Sequence, residues 1–158
     1  YASVKGRFQA SAALERRNLV EFGERDDEWT VVERLPRRNV LCRSDSRGRS
    51  ESLAANLDQL GIVVSPKPAS DPFVVDRYLA GASYAGIAAL LVVNKVDLPA
   101  EAGDLSFVEP LRAIGLPVVS VSARSGTGLD ELVARLAGRR SLPFPHRRRF
   151  YERGRGQR

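Results

Sequence analysis

The chain is 158 residues long, 43% hydrophobic and 28% charged, enough apolar material for a sizeable core. It has no apolar run near 18 residues, which excludes an ordinary membrane-spanning helix. Its one cysteine, Cys42, excludes intrachain disulfides and cysteine-rich zinc sites and suits a cytoplasmic setting. The formal net charge of +6 is uneven, with eleven Lys/Arg against eight Asp/Glu in residues 1–49, six against ten in 50–138, and eight against one in 139–158. A polyanionic partner would therefore meet the two ends.

The chain opens Tyr1-Ala2-Ser3-Val4-Lys5, with no Met anywhere and no apolar leader, which reads as a fragment boundary. Residues 1 to about 58 alternate short strand-forming runs with charged turns. Val4 to Phe8, Trp29 to Glu33 and Asn39 to Cys42 are the strand candidates, and Pro36 sets a turn ahead of Arg37-Arg38-Asn39-Val40-Leu41. The pattern predicts part of a small β-barrel. Its loops are basic around Arg37, Arg38, Arg43, Arg47 and Arg49, which suits contact with RNA phosphates. A solvated charged face without a partner fits the same residues.

From Leu57 the pattern turns to alternating strands and helices. Leu60 to Ser65 is a strand weakened by Gly61 and stopped at Pro66-Lys67-Pro68. Asp71-Pro72 is a good N-cap and first-turn pair, Val75, Tyr78, Leu79 and Ala82 follow at helical spacing, and Gly86 ends the helix. Ala88 to Val93 is the next strand. A helix over about Phe107 to Ile114, closed by Gly115, leads to a strand at Pro117 to Val121. Leu129, Leu132, Val133 and Leu136 then mark a last amphipathic helix before Gly138. The order β-α-β-α-β-α implies parallel strands with right-handed crossovers.

The stretch Leu90 to Leu98, L-L-V-V-N-K-V-D-L, sets an amide, an amine and a carboxylate at a strand's C-terminal end. That edge is where open α/β sheets bind ligands. The spacing N-K-x-D suits telling guanine from adenine. Guanine offers N1–H and a 2-amino group side by side, so the Asp97 carboxylate accepts both, a charge-assisted contact of about 1.5–3 kcal/mol. A base without that pair leaves the carboxylate unmatched. Asn94 is placed to tie loops together, and the Lys95 stem to lie across the ring face. After the strand at Pro117, the loop Ser122-Ala123-Arg124-Ser125-Gly126-Thr127-Gly128 is built of small residues, of the kind that bring a backbone N–H to the guanine 6-oxo group. Either stretch alone also fits an ordinary turn after a strand. Together, one βαβ unit apart, they favour base binding.

A nucleotide-hydrolysing protein of this fold holds its phosphates in a G-x-x-x-x-G-K-[ST] loop. No such stretch occurs here. The nearest, Gly81 to Gly86, continues Ile87-Ala88 and falls at a helix end. In most guanine-nucleotide proteins the loop precedes N-K-x-D, so here it lies downstream or is absent.

That order resembles the circularly permuted, ribosome-small-subunit-dependent GTPase A family. The resemblance rests on Leu35-Pro36-Arg37-Arg38-Asn39-Val40-Leu41, Arg43, Gly48-Arg49 and Leu53-Ala54-Ala55-Asn56-Leu57-Asp58-Gln59-Leu60. It continues through Asp76-Arg77-Tyr78-Leu79, Gly86-Ile87, Asn94-Lys95-Val96-Asp97-Leu98 and Ser122-Ala123-Arg124 to Gly126-x-Gly128-Leu129. It implies an N-terminal OB-fold that touches ribosomal RNA, a permuted GTPase domain and a zinc-binding C-terminal segment, the last not matched here. The implied role is late maturation of the small ribosomal subunit, with GTP hydrolysis stimulated by that subunit and using magnesium. Carried over by the resemblance, the GTP-binding residues are Asn94, Lys95, Asp97, Leu98, Ser122, Ala123 and Arg124; no catalytic residue or metal ligand is assigned.

The expected fold class is therefore α/β: a partial OB-fold β-barrel over residues 1–55, the guanine-recognition half of a circularly permuted P-loop GTPase domain over 56–138, and a basic non-family tail over 139–158. Three departures shape this. Arg124 stands where Lys is usual, a mild change because the loop's contact runs through backbone. Residues 10 to 28 show only Gly23-Glu24 in place of the barrel's Gly-Asp turn. From about Ser141 the chain reads S-L-P-F-P-H-R-R-R-F-Y-E-R-G-R-G-Q-R. Two prolines in three residues and a run of arginines are not expected to continue a buried strand, so a frameshift or premature end followed by a disordered tail is expected; the functional alternative is a basic RNA-binding tail in which His146 is one more polar residue. A strand edge would then lie bare, with poor solubility. The functional expectation is a cytoplasmic, monomeric guanine-nucleotide binder without membrane contact, weak in affinity and without turnover by itself. A non-catalytic rRNA-binding OB-fold module or an inactive fragment is the alternative.

Overall fold

The computed structural model describes residues 20–25, 28–44, 47–99 and 103–145, and the chain divides into two compact units, Tyr1–Leu57 and Asp58–Arg158. In the first unit the described residues form two antiparallel ladders. β1 (Val20–Arg25) pairs with β2 (Glu28–Arg34), and β3 (Val40–Ser44) pairs with β4 (Ser50–Ala55), with register shifts at Glu21/Phe22 and Leu41/Cys42. The predicted strand at Trp29 to Glu33 falls in β2 and that at Asn39 to Cys42 meets β3, while Val4 to Phe8 lies outside the described residues. Gly23-Glu24, sought as a turn, lies inside β1. Sequence patterning passes over β1 and β4 because one is charged and broken by Gly23 and the other, S-E-S-L-A-A, has no β-branched residue. Both rest on their partners' ladders more than on their own propensity.

Two asparagines close the β3–β4 ladder where β3 begins and β4 ends. Asn39 Nδ2 donates to the Leu57 carbonyl at 2.8 Å and its Oδ1 accepts from the Leu57 amide at 2.9 Å. The buried Asn56 accepts from the Arg38 amide at 2.8 Å, and its own amide donates to the Asn39 carbonyl at 3.0 Å. Asn56 sits at φ 57°, a left-handed conformation that Asn tolerates better than most residues.

The second unit is a parallel sheet of four strands in the order β7-β6-β5-β8, namely β7 (Val118–Val121), β6 (Ala88–Asn94), β5 (Gln59–Val64) and β8 (Ser141–Pro145). The connections carry α1 (Pro72–Tyr84), α2 (Val108–Ala113) and α3 (Leu129–Leu136). α1 starts as its sequence predicts: Asp71 accepts from the Phe73 amide at 3.0 Å and Pro72 opens the first turn. Leu60, Ile62, Val64, Leu90, Leu91 and Val92 are buried, so β5 and β6 read as continuous apolar runs because both their faces are covered. Leu90, Val92, Val119 and Val121 form a cluster against which Leu129, Leu132 and Leu136 of α3 pack. Val133, predicted on that face, is exposed instead, since the contact stripe runs 129, 132, 136.

β8 corrects the reading of the tail. Ser141–Pro145 pairs in parallel with β5, Gln59 opposite Ser141 through Val63 opposite Pro145, so residues 139–145 are not a disordered extension and the β5 edge is not bare. The prolines are tolerated by parity. The Arg140 carbonyl accepts from the amides of Asp58 at 3.0 Å and Gln59 at 3.4 Å, and the Arg140 amide donates to Asp58 Oδ2 at 2.7 Å. Backbone groups alternate in direction along a strand, so even-numbered positions face β5 and the missing N–H groups of Pro143 and Pro145 fall on the outer side. Proline is compatible with an edge strand so oriented.

Candidate functional site

Because β6 and β7 are parallel neighbours, their C-terminal tips lie side by side, and the two loops singled out in the sequence meet there. The Val96 amide donates to the Val121 carbonyl at 3.2 Å, which joins the loops at main-chain level. Asn94 Oδ1 accepts from the Lys95 amide at 2.8 Å and from the Ala123 amide at 3.2 Å. Ser122 Oγ donates to Asp97 Oδ1 at 2.6 Å. Asn94 does tie the loops together, and Ser122 adds a second tie that the sequence reading had not assigned.

The β7 loop is shaped to deliver that hydroxyl. Ser122 is fully buried, its amide donates to the Thr127 carbonyl at 2.9 Å, its carbonyl accepts from the Gly126 amide at 2.9 Å, and its Oγ accepts from the Ser125 amide at 3.1 Å. Gly128 closes the loop at φ 70°, and a Cβ there would fall 2.1 Å from the Ser120 carbonyl oxygen, so only glycine fits. The Asp97 carboxyl is exposed and is held below the ordinary carboxylate range. The Ser122 hydroxyl is the main cause, partial desolvation opposes it, and the residue's own backbone amide and the charges of Arg124 and Lys95 add to it. An ionised acceptor at neutral pH is what a pair of ring and amino donors requires.

Lys95 stands at φ 67°, a left-handed conformation unusual for a side-chain-bearing residue, and its Nζ donates to the Lys67 carbonyl at 2.6 Å. Beside it a cleft of about 450 Å³ is lined by Pro66, Asn94, Lys95, Leu98, Gly103 and Leu105 among others. Asn94, Lys95 and Leu98 therefore line the cleft, whereas Asp97, Ser122, Ala123 and Arg124 do not. Sequence reasoning missed Lys67, and no signal could have given it, because the contact uses a main-chain carbonyl that every residue carries.

The five arginines expected to contact RNA are spread along the β3–β4 ladder and do not gather at one of its ends. Arg37 and Arg38 precede β3, at the end where Asn39 and Asn56 lock the ladder, while Arg47 and Arg49 lie in the β3–β4 connection at the other end. Five ladder positions separate the groups, about 17 Å of strand. Arg43, within β3, pairs with Glu51 at 2.8 Å, both side chains about half exposed. Among the described residues, no group of three or more His, Cys, Asp or Glu could hold a metal ion, and no helix is long and apolar enough to cross a membrane.

Residues 34–143 match the family model described as RsgA GTPase. The chain belongs to the RsgA GTPase family. It is 44% identical over 115 residues to the small ribosomal subunit biogenesis GTPase RsgA of Azotobacter vinelandii, covering 71% of this chain and 34% of that protein. To the RsgA of Chromohalobacter salexigens it is 44% identical over 119 residues, covering 74% and 35%. Among solved structures, YjeQ from Thermotoga maritima superposes with a TM-score of 0.60 at 25% identity over 83% of this chain and 46% of that one. The chain thus spans about a third of the length of the RsgA relatives it matches. The RsgA match runs into β8 as far as residue 143, so the boundary expected at 138/139 does not mark the end of family sequence.

Proposed function

We propose that the second unit selects guanine for a small-subunit biogenesis GTPase. The Asp97 carboxylate accepts from N1–H and the 2-amino group, the Lys95 stem covers a ring face, and the Ala123 amide, now shared with Asn94 Oδ1 at the long end of hydrogen-bonding distance, turns to the 6-oxo group. Arg124 and Leu98 flank the base from the two loops. The observation that carries the reading is the hydrogen bond from buried Ser122 to Asp97, which fixes a carboxylate of one strand tip against the loop of the next. When bound, GTP and its magnesium supply a hydrolysable phosphoanhydride and charge neutralisation; these 158 residues hold no G-x-x-x-x-G-K-[ST] stretch, so their proposed share is the choice of base.

The proposal extends to cytoplasmic work on the small ribosomal subunit. Residues 1–55, read as part of an OB-fold, would meet its rRNA through Arg37, Arg38, Arg43, Arg47 and Arg49, and 56–138 would carry guanine recognition. The separation of the basic groups favours contact with phosphates at two points along an RNA backbone. If the chain acts only as an rRNA-binding module, its RNA affinity falls steeply with salt while nucleotides differ little from one another.

Asp97→Asn tests the base reading. Asparagine keeps an acceptor for N1–H but sets an amide donor where the 2-amino group pointed, which suits the 2-oxo group of xanthine. Titration of the ¹⁵N-labelled chain should show GMP weakened about 10- to 100-fold and XMP gaining, the worth of one charge-assisted contact. Unchanged GMP and XMP responses would refute the assignment.

A further inference from the structure

The loop after β5 closes on itself. The Ser65 amide donates to Ser70 Oγ at 3.0 Å, that hydroxyl donates back to the Ser65 carbonyl at 3.3 Å, and Ser65 Oγ donates to the Pro68 carbonyl at 3.2 Å. Ser70 is buried, so this bracket is part of the packed structure. Two consecutive carbonyls of the loop are approached from outside it. Gly103 lies so close to the Pro66 carbonyl that a Cβ would sit 2.1 Å from its oxygen, and the Lys67 carbonyl receives the Lys95 ammonium. Lys95 links the β6 tip to the β5 loop, its ammonium held at the Lys67 carbonyl and its four methylenes lying between the two. Its left-handed backbone, disfavoured for an L residue, is the conformation that accompanies this reach.

We infer that the Ser65–Ser70 loop is a positioning element for base recognition: its Lys67 carbonyl holds the Lys95 ammonium, so that the Lys95 methylene stem forms a fixed wall for the flat face of a purine. This rests on the guanine reading proposed above and adds a third strand tip, that of β5, to the two already joined by Asn94 and Ser122. A wall against the ring face and a carboxylate at the ring edge discriminate differently. The face is common to all 6-oxopurines, whereas the edge distinguishes guanine, which has a 2-amino group, from hypoxanthine, which lacks it. The anchor therefore governs affinity for both bases equally, and Asp97 governs their ratio.

Titration of the ¹⁵N-labelled full chain with GMP and with IMP separates the two. Ser70→Ala, which removes the bracket, should weaken GMP and IMP by the same factor, about threefold to tenfold, the worth of one net hydrogen bond in positioning. Ser70→Thr, which keeps the hydroxyl, should bind as the parent does. Lys95→Met keeps an apolar stem and removes only the ammonium. It should show the same parallel loss and move the ¹³C resonance of the Lys67 carbonyl, with folding verified by an unchanged spectrum elsewhere. Asp97→Asn should instead collapse the GMP-to-IMP ratio. Parent-like binding of both nucleotides by Ser70→Ala and Lys95→Met, or loss of one nucleotide alone, overturns the anchor and leaves the base reading intact. A parent chain that responds to neither nucleotide overturns both.

Discussion

On the β6–β7 flank of the parallel sheet, side chains join one strand tip to the next, Asn94 to the Ala123 amide and Ser122 to Asp97, beside the main-chain bond from Val96 to Val121. On the β5–β8 flank the joining is done at the opposite ends of the strands, chiefly by main chain, with the Arg140 carbonyl taking the amides of Asp58 and Gln59 where β5 begins and Asp58 returning a carboxylate to the Arg140 amide. The first flank spends its polar side chains on a surface that a ligand can meet, and its burial is left to Leu90, Val92, Val119 and Val121 beneath. The second sets its register with main-chain groups and the Asp58 carboxylate. Two parallel pairs in one sheet thus have the same geometry and different duties, and each can be damaged separately.

The largest effect belongs to the apolar base of the β6–β7 flank. Leu90 is fully buried between the strands and α3, so Leu90→Ala should destabilise the second unit by about 2–5 kcal/mol, the cost of lost transfer energy plus an incompletely filled cavity. Urea unfolding followed by backbone NMR checks it. Leu142 of β8 keeps about a tenth of its surface exposed on an edge strand, and Leu142→Ala should cost less. Equal costs would mean that the two flanks share one core and that the contrast is only polar.

A smaller change tests the register clamp. Asp58→Ala leaves the Arg140 amide without its 2.7 Å carboxylate partner and should cost about 1–3 kcal/mol. The loss should be local: hydrogen exchange at the Leu142 amide should accelerate while that of Leu91 and Val92 stays close to the parent rate. Uniform acceleration would show instead that β8 and the central strands open as one unit.

What the sequence disclosed follows the same division. The β6 and β7 strands and their loops were legible because apolar runs flow directly into residues whose spacing has a chemical meaning, Asn94-Lys95-x-Asp97 and Ser122-Ala123. Asp71-Pro72 was legible because caps are local. β8 was not. Composition says that Pro143 and Pro145 should break a strand, and only the partner's register, through the Arg140 carbonyl, reveals that their missing N–H groups face outward. The Lys67 carbonyl was illegible for a related reason: main-chain acceptors have no sequence signature, so contacts made through them appear only when the fold is known.

The smallest effect is a titration, and it isolates the side-chain tie of the β6–β7 flank. The Asp97 carboxyl titrates below its ordinary 3.8 because the ionised form accepts from Ser122 Oγ. A carboxyl depressed in the folded state contributes stability that is fully present above the unfolded-state value and fades as pH falls through the lower, folded one. This contribution is therefore constant through neutral pH and disappears only below about pH 4. Ser122→Ala removes the main cause and should raise the Asp97 titration toward 3.8, followed through its ¹³C carboxyl resonance. Asp104 supplies an internal control: it too is depressed, but by the amide and hydroxyl of Ser106, and should not move. If both shift together, the substitution has loosened the unit as a whole. If Asp97 stays low, its ionisation depends on Arg124, Lys95 and its own amide, and the buried hydroxyl serves the loop more than the carboxylate.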